Sequence, residues 1–110
     1  MPAAEKEPSP QYRAFAADTL ARLPDVAEGS MFGMRCLKLG GKAFAGGYAG
    51  GVTFKLPPGR REQALALAGA VLFDPAGKGR PMKEWVVVPA EHSERWDDLA
   101  DDAAGYVRAG

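Results

Sequence analysis

Between residues 40 and 51 the chain carries three glycine pairs, Gly40-Gly41, Gly46-Gly47 and Gly50-Gly51. This feature constrains the fold most. A two-residue hairpin turn of the primed types needs positive φ angles, which glycine adopts without steric cost. Gly40-Gly41 separates two strand-like runs, residues 31–39 and 42–48, and Gly50-Gly51 separates the second run from 52–56. The spacing predicts a three-stranded antiparallel meander. Gly46-Gly47 lies inside the second run, where glycine marks a bulge or a close backbone approach. These glycines do not form a phosphate loop. They lack the Walker spacing and precede strands, so no helix dipole faces an anion.

Around this meander the periodicity changes. Tyr12, Phe15, Ala16, Leu20 and Leu23 recur every three or four residues and predict a helix over 11–23, stopped by Pro24. Gly29 and Ser30 read as a break. In the strand over 31–39, Arg35, Leu37 and Leu39 face one way and Met34, Cys36 and Lys38 the other. Pro57-Pro58-Gly59 ends the sheet and opens a helix over 60–68 with the face Ala64, Leu65, Leu67 and Ala68, stopped by Gly69. Residues 71–73 read as a short strand, 74–81 as a loop, and 82–88 as an inner strand because Val86, Val87 and Val88 run consecutively. A last helix over 93–108 carries the stripe Trp96, Leu99, Ala100, Ala103 and Val107, with Asp97, Asp98, Asp101 and Asp102 toward solvent. The prediction is a two-layer α+β fold, an antiparallel sheet packed by helices, in the order α-β-β-β-α-β-β-α. Residues 1–10 are expected to be a disordered tail, and 11–110 a single domain.

Residue types that carry chemistry are scarce. The one histidine, His92, follows a strand-ending proline and reads as a surface residue at a helix start. Cys36 reads as a small core hydrophobe. As nucleophile and base the two have no supporting spacing, and together they cannot supply a zinc shell. The four aspartates of the last helix read as a solvated face. No catalytic residue, metal or cofactor is expected, and no enzymatic activity. A lone cysteine, no apolar segment of signal-peptide length near the start, and no apolar run approaching the ~20 residues of a membrane span lead to a cytoplasmic expectation.

The net charge is zero, yet it is unevenly distributed. Residues 1–30 hold three basic and five acidic groups, 31–83 nine and two, and 84–110 two and seven. Either two faces of opposite sign or a terminal helix neutralising a basic sheet fits this layout. The basic segment offers candidate contacts for a partner or for nucleic acid: Lys38, Lys42, Arg60, Arg61, Lys78, Arg80 and Lys83, with Trp85 as the nearby aromatic, although a solvated loop and a core tryptophan fit residues 77–85 better. Arg60-Arg61 at a helix start oppose the helix dipole.

The run MFGMRCLKLGGKAFAGG, the run LPPGRREQALALAGAVLFDPAGKGRPMKEWVVVP and a closing helix with Trp96, Tyr106 and Val107 together resemble the N-terminal domain of the TfoX (Sxy) competence regulators. The matching marks are Met31-Phe32-Gly33, Gly41-Lys42 before an aromatic, and Arg80-Pro81-Met82 before the valines and Pro89. The YjbR/MmcQ-like proteins share the general plan. The resemblance spans about residues 12–108 and implies the same two-layer fold. Members often carry a second glycine where this chain has Met34. In TfoX proteins a helical C-terminal domain follows and the whole regulates transcription of competence genes. The sequence here ends at Gly110 without that domain, so a stand-alone domain is expected, with no catalytic residue to transfer.

Three functions follow, in this order. The first is a non-enzymatic regulatory or protein-interaction domain, with a homodimer through a sheet edge or helix face as one form. The second is a nucleic-acid-binding module using residues 31–83. The third is a small-ligand binder or enzyme with a pocket near Phe32, Cys36 and Trp85.

Overall fold

Ser9 opens the first helix, its hydroxyl accepting from the Tyr12 N–H at 3.1 Å while Pro10 takes the first helical position. The computed structural model describes residues 9–75, 77, 79 and 81–109. Helix α1 (Pro10–Arg22) ends one residue before Leu23, where Pro24 was expected to stop it. The tail expected over 1–10 lies outside the described residues up to residue 8. Its last two residues, Ser9 and Pro10, are the cap and start of α1, so the helix begins one residue before Gln11.

Six strands follow: β1 (Val26–Met31), β2 (Met34–Leu39), β3 (Lys42–Tyr48), β4 (Gly51–Lys55), β5 (Val71–Phe73) and β6 (Met82–Val88). Helix α2 (Pro58–Leu65) lies between β4 and β5. A 3-10 turn (Ala90–Arg95) leads into helix α3 (Trp96–Ala109). The strands form one antiparallel sheet in the order β1-β2-β3-β4-β6-β5. The predicted class holds, and β6 is an inner strand as its valine run implied.

The order is α-β-β-β-β-α-β-β-α, one strand more than predicted. Residues 26–31 form the added strand, and Gly29, read as a break, pairs with Cys36. The turn between β1 and β2 is Phe32-Gly33, at φ 53° and 76°. Positive φ at both central residues is the type I′ signature, and a phenylalanine there gives no turn signal in sequence. Gly40-Gly41, at 61° and 82°, turns as predicted. The third turn is Ala49-Gly50, at 52° and 80°, one residue before the predicted pair, because Gly51 already pairs with Tyr48.

The three helices cover one face of the sheet. Tyr12, Phe15 and Ala16 of α1, Ala64 of α2 and Trp96, Leu99, Ala100, Ala103, Ala104 and Val107 of α3 bury against Leu37, Phe44, Val52, Phe54, Val86 and Val88. Alanines at three buried positions of α3 let its backbone lie close to the sheet, and Phe15 bridges the layers with edge contacts to Phe54 and Trp96 at 5.8 and 5.7 Å. Two faces predicted from periodicity need correction. Helix α2 runs over 58–65 rather than 60–68, and of its predicted stripe Ala64 is buried and Leu67 partly buried, whereas Leu65 and Ala68 are exposed. In the last helix the predicted start at residue 93 falls within the 3-10 turn, with the α-helix itself from Trp96.

Gly46 and Gly47 are close-approach glycines, as the pattern implied. The Tyr12 ring sits 2.9 Å from where a Cβ on Gly47 would be, and the Met34 methyl 2.6 Å from that of Gly46, on the opposite face. The strand irregularity lies nearby, between Leu37 and Lys38 opposite β3.

Candidate functional site

The sheet's second face has no helix on it, and yet Cys36 and Thr53 on it are fully buried. Sheet twist explains this. A right-handed twist lifts one pair of diagonal corners toward the same face. Here those corners are the β1–β2 turn, carrying Phe32, and the end of β5, carrying Phe73. Their rings meet at 6.1 Å, although three strands lie between β2 and β5 in the sheet order. Phe73, itself fully buried, also makes an edge contact with Tyr48 at 5.0 Å and lies 6.2 Å from Trp85. Met34, Trp85 and Val87 are buried with it, and Met31, Ala43, Tyr48 and Met82 pack around them.

Phe32 is the outer surface of this cluster, 62 % exposed. Its left-handed backbone costs about 1–2 kcal/mol for a residue with a Cβ. Such strain at an exposed aromatic is a feature that folding alone does not require.

The charges are sorted between the layers. The strands contain two carboxylates, Glu28 and Glu84. Glu28 accepts from Arg35, which alternates with the buried Leu37 and so lies on the helix side. Glu84 accepts from the Tyr106 hydroxyl of α3 at 2.9 Å and pairs with Lys55 at 3.7 Å. That hydrogen bond, with burial and the carboxylate charge, raises the Tyr106 pKa. The acidic face of α3 is met by arginines. Arg22 of α1 reaches Asp101 at 3.0 Å, Asp97 at 3.6 Å and Asp18 at 3.1 Å, and Arg60 reaches Asp102 at 3.4 Å. Burial, outweighing the attraction of Arg22, raises the Asp97 pKa.

The sequence-predicted contacts therefore divide. Lys38 lies on the helix-free face, its stem laid over Gly29 at 2.9 Å from a would-be Cβ. Lys83 is exposed, between Met82, which packs against the helix-free cluster, and Glu84, which reaches Tyr106 of α3. Lys42 lies on the helix side, lining a cleft of about 390 Å³ with Lys55, Glu84, Tyr106 and Val107. Arg60 is tied to Asp102 and to Gln63 in a cleft of about 360 Å³ between α2 and α3. Arg61 donates to the Leu56 carbonyl at 3.1 Å. Lys78 and Arg80 lie outside the described residues. Trp85 is buried at 6 %, so it is a core residue of the helix-free cluster and not an exposed stacking platform.

Cys36 is fully enclosed and burial raises its thiol pKa. It lies on β2, with β3 and β4 between it and β6, after which His92 holds the Ala68 carbonyl at 2.8 Å. The two are not brought together. Among the described residues, no three His, Cys, Asp or Glu side chains gather as a metal shell, and no helix is long and apolar enough to cross a membrane. Sequence reasoning named Phe32 only as one of three residues, with Cys36 and Trp85, near a pocket. Both of those are buried beneath the surface that Phe32 exposes.

The fold and this surface define a small open-faced α+β domain, with helices on one side and an aromatic sheet face on the other. The profile of the TfoX N-terminal domain matches residues 18–107, and the chain belongs to that family. Comparison with curated proteins and with solved structures gave no match.

Proposed function

We propose that this chain is a non-enzymatic regulatory domain that binds a partner on the helix-free face of its sheet. Phe32 carries the reading: an exposed aromatic ring held at a backbone angle that asparagine or glycine adopts more cheaply. Aromatic surface of this kind is enriched where proteins bind partners. Family membership supports a domain of this type, and the buried, unpaired Cys36 supports a reducing, cytoplasmic setting.

The test is Phe32→Asn. Asparagine relieves ~1–2 kcal/mol of left-handed strain and forfeits an edge contact worth ~0.5–1.5 kcal/mol. The urea midpoint is expected to stay within about 1 kcal/mol of the parent, showing that the fold does not need the ring. Backbone amide shifts are then followed while the parent is titrated with an oligonucleotide, with oligoglutamate, and with itself. The largest changes are expected around Phe32, Tyr48 and Lys38. Changes confined to α1 and α3, or a Phe32→Asn protein that loses several kcal/mol, refute the reading.

A further inference from the structure

We infer that the ligand of this face is single-stranded nucleic acid, with Phe32 stacking on a base and Lys38 and Lys83 contacting phosphates. The inference rests on the reading that the helix-free face is the working surface, and it names the occupant.

Phe32 meets Phe73 edge-on, with ring planes 67° apart, so the contact fixes the Phe32 ring and leaves it 62 % exposed. A ring held in place with its surface in water is what an unpaired base needs for stacking. Tyr48, partly exposed, stands against the same Phe73 at 73° and offers a second aromatic surface beside it. Antiparallel sheets that present aromatics on an open face bind single strands in this way, with one base per ring.

The charge distribution selects the same ligand. Both strand carboxylates turn to the helix side and are engaged there, by Arg35 and by Tyr106 with Lys55. Asp97, Asp101 and Asp102 of α3 lie on the opposite layer, drawn to Arg22 and Arg60. Among the described residues, Lys38 on the open face and the exposed Lys83 beside Met82 have no carboxylate within 4.0 Å. Four residue steps along β2 lead from Met34, next to the Phe32 turn, to Lys38, a distance of ~13 Å. A base on Phe32 and a phosphate at Lys38 therefore belong to one short oligonucleotide and not to a mononucleotide. A duplex is poorly served, because its bases are already stacked and this face offers no helix to a groove. An acidic peptide would meet the same lysines but gain nothing comparable from a rigid ring.

The test is fluorescence anisotropy with a labelled 15-nucleotide oligothymidylate. Two phosphate contacts on a single strand predict about a sevenfold loss of affinity between 50 and 200 mM salt. Phe32→Asn is expected to lose at least about fivefold, the lower end of what one stacked base contributes. Phe32→Tyr, which keeps the ring, should bind like the parent. The double variant Lys38→Gln with Lys83→Gln should lose most of the salt dependence, and Lys42→Gln, on the helix side, should change nothing. Circular dichroism establishes that each variant is folded. Absence of oligothymidylate binding at 50 mM salt, or binding indifferent to Phe32→Asn, overturns the inference. A parallel titration with labelled oligoglutamate separates the two claims. If oligoglutamate alone binds, and Phe32→Asn abolishes it, the face remains the working surface and the nucleic-acid assignment falls. If oligothymidylate binding is lost in Lys42→Gln but not in Phe32→Asn, both fall.

Discussion

Alanine at Gly46, Gly47 and Gly51 should destabilise the fold in a graded order set by what each new Cβ would meet. At Gly51 it would lie 2.5 Å from the Val88 carbonyl oxygen and 3.2 Å from the Pro89 Cα. Those are backbone atoms where β4 pairs with β6 through Val52 and Val88, so relief requires the strands to part. At Gly47 it would meet three Tyr12 ring atoms at 2.9 to 3.2 Å, and Tyr12 is 1 % exposed with little room to tilt. At Gly46 the nearest atom is the terminal methyl of Met34 at 2.6 Å, which a rotation can withdraw. Overpacking costs ~1–3 kcal/mol and occasionally more, and replacing glycine returns ~0.4–1 kcal/mol through the unfolded chain. The net losses are then about 3 kcal/mol for Gly51→Ala, about 1–2 for Gly47→Ala and about 0.5 for Gly46→Ala. Urea unfolding monitored by tryptophan fluorescence reads these as midpoint shifts at constant m. In thermal unfolding each kcal/mol corresponds to a Tm lower by about 4 °C for a domain of this size. A Gly46→Ala protein as unstable as Gly51→Ala would refute the reasoning, because it would mean that the mobility of the opposing atom does not set the cost.

Further perturbations probe the helix side. Burial and, to a smaller degree, nearby acidic groups raise the Tyr12 phenol pKa above its ordinary 10.0, and its hydroxyl has no hydrogen-bond partner among the described residues. The folded state keeps this proton where the unfolded chain releases it, so the tyrosine's contribution is fully present below pH 10.0 and declines as the pH rises beyond it. Tyr12→Phe should match or exceed the parent by about 1 kcal/mol near neutral pH, since it removes an unpaired buried hydroxyl, and its advantage should widen above pH 10.0 in urea titrations. Arg22→Gln should cost about 1 kcal/mol at low salt, because three partly exposed carboxylates lose their common cation, and the difference should shrink in 1 M NaCl. Cys36 should react with a thiol reagent only at the rate of unfolding, and fast modification of the native protein would contradict its burial.

Much of the fold was legible because helices and inner strands declare themselves through period. Tyr12, Phe15 and Ala16 in α1 and the valines of β6 follow the templates for one buried face and for burial on both faces. Strand β1 was not legible. Its pattern of Glu28, Gly29 and Ser30 resembles a loop, and the Lys38 side chain that lies over Gly29 belongs to the neighbouring strand, so local sequence carries no trace of the contact. The turn that closes β1 was hidden for the same reason as the site: a phenylalanine holds a position where turn chemistry calls for asparagine or glycine. Helix α2 shows the opposite failure. Leu65 belongs to the apolar run but lies between the buried Ala64 and the partly buried Leu67, on the outward side, and it is exposed.

The charge layout left two arrangements open, and the pairing of α3 departs from the second, because its partners lie on helices and not on the basic sheet. The acidic terminal helix is neutralised, but by Arg22 from the acidic first segment and by one arginine, Arg60, from the basic middle segment. Among the described residues this leaves Lys38, on the face that the helices do not cover, and the exposed Lys83 beside Met82 without carboxylates. A linear sequence cannot reveal that division, because it depends on which side of each strand a residue occupies. Leu37 faces the helices opposite Ala45 and Lys38 pairs with Ala43 on the open face, and the extra residue that the irregularity places in β3 puts those two alanines on opposite sides. The same sheet twist that folds Phe32 and Phe73 over this face also buries Trp85, so the sequence's obvious aromatic became core and a turn residue became the exposed ring. The site is thus a product of sheet geometry: twist chooses which aromatic is exposed, and strand alternation chooses which cations stand beside it.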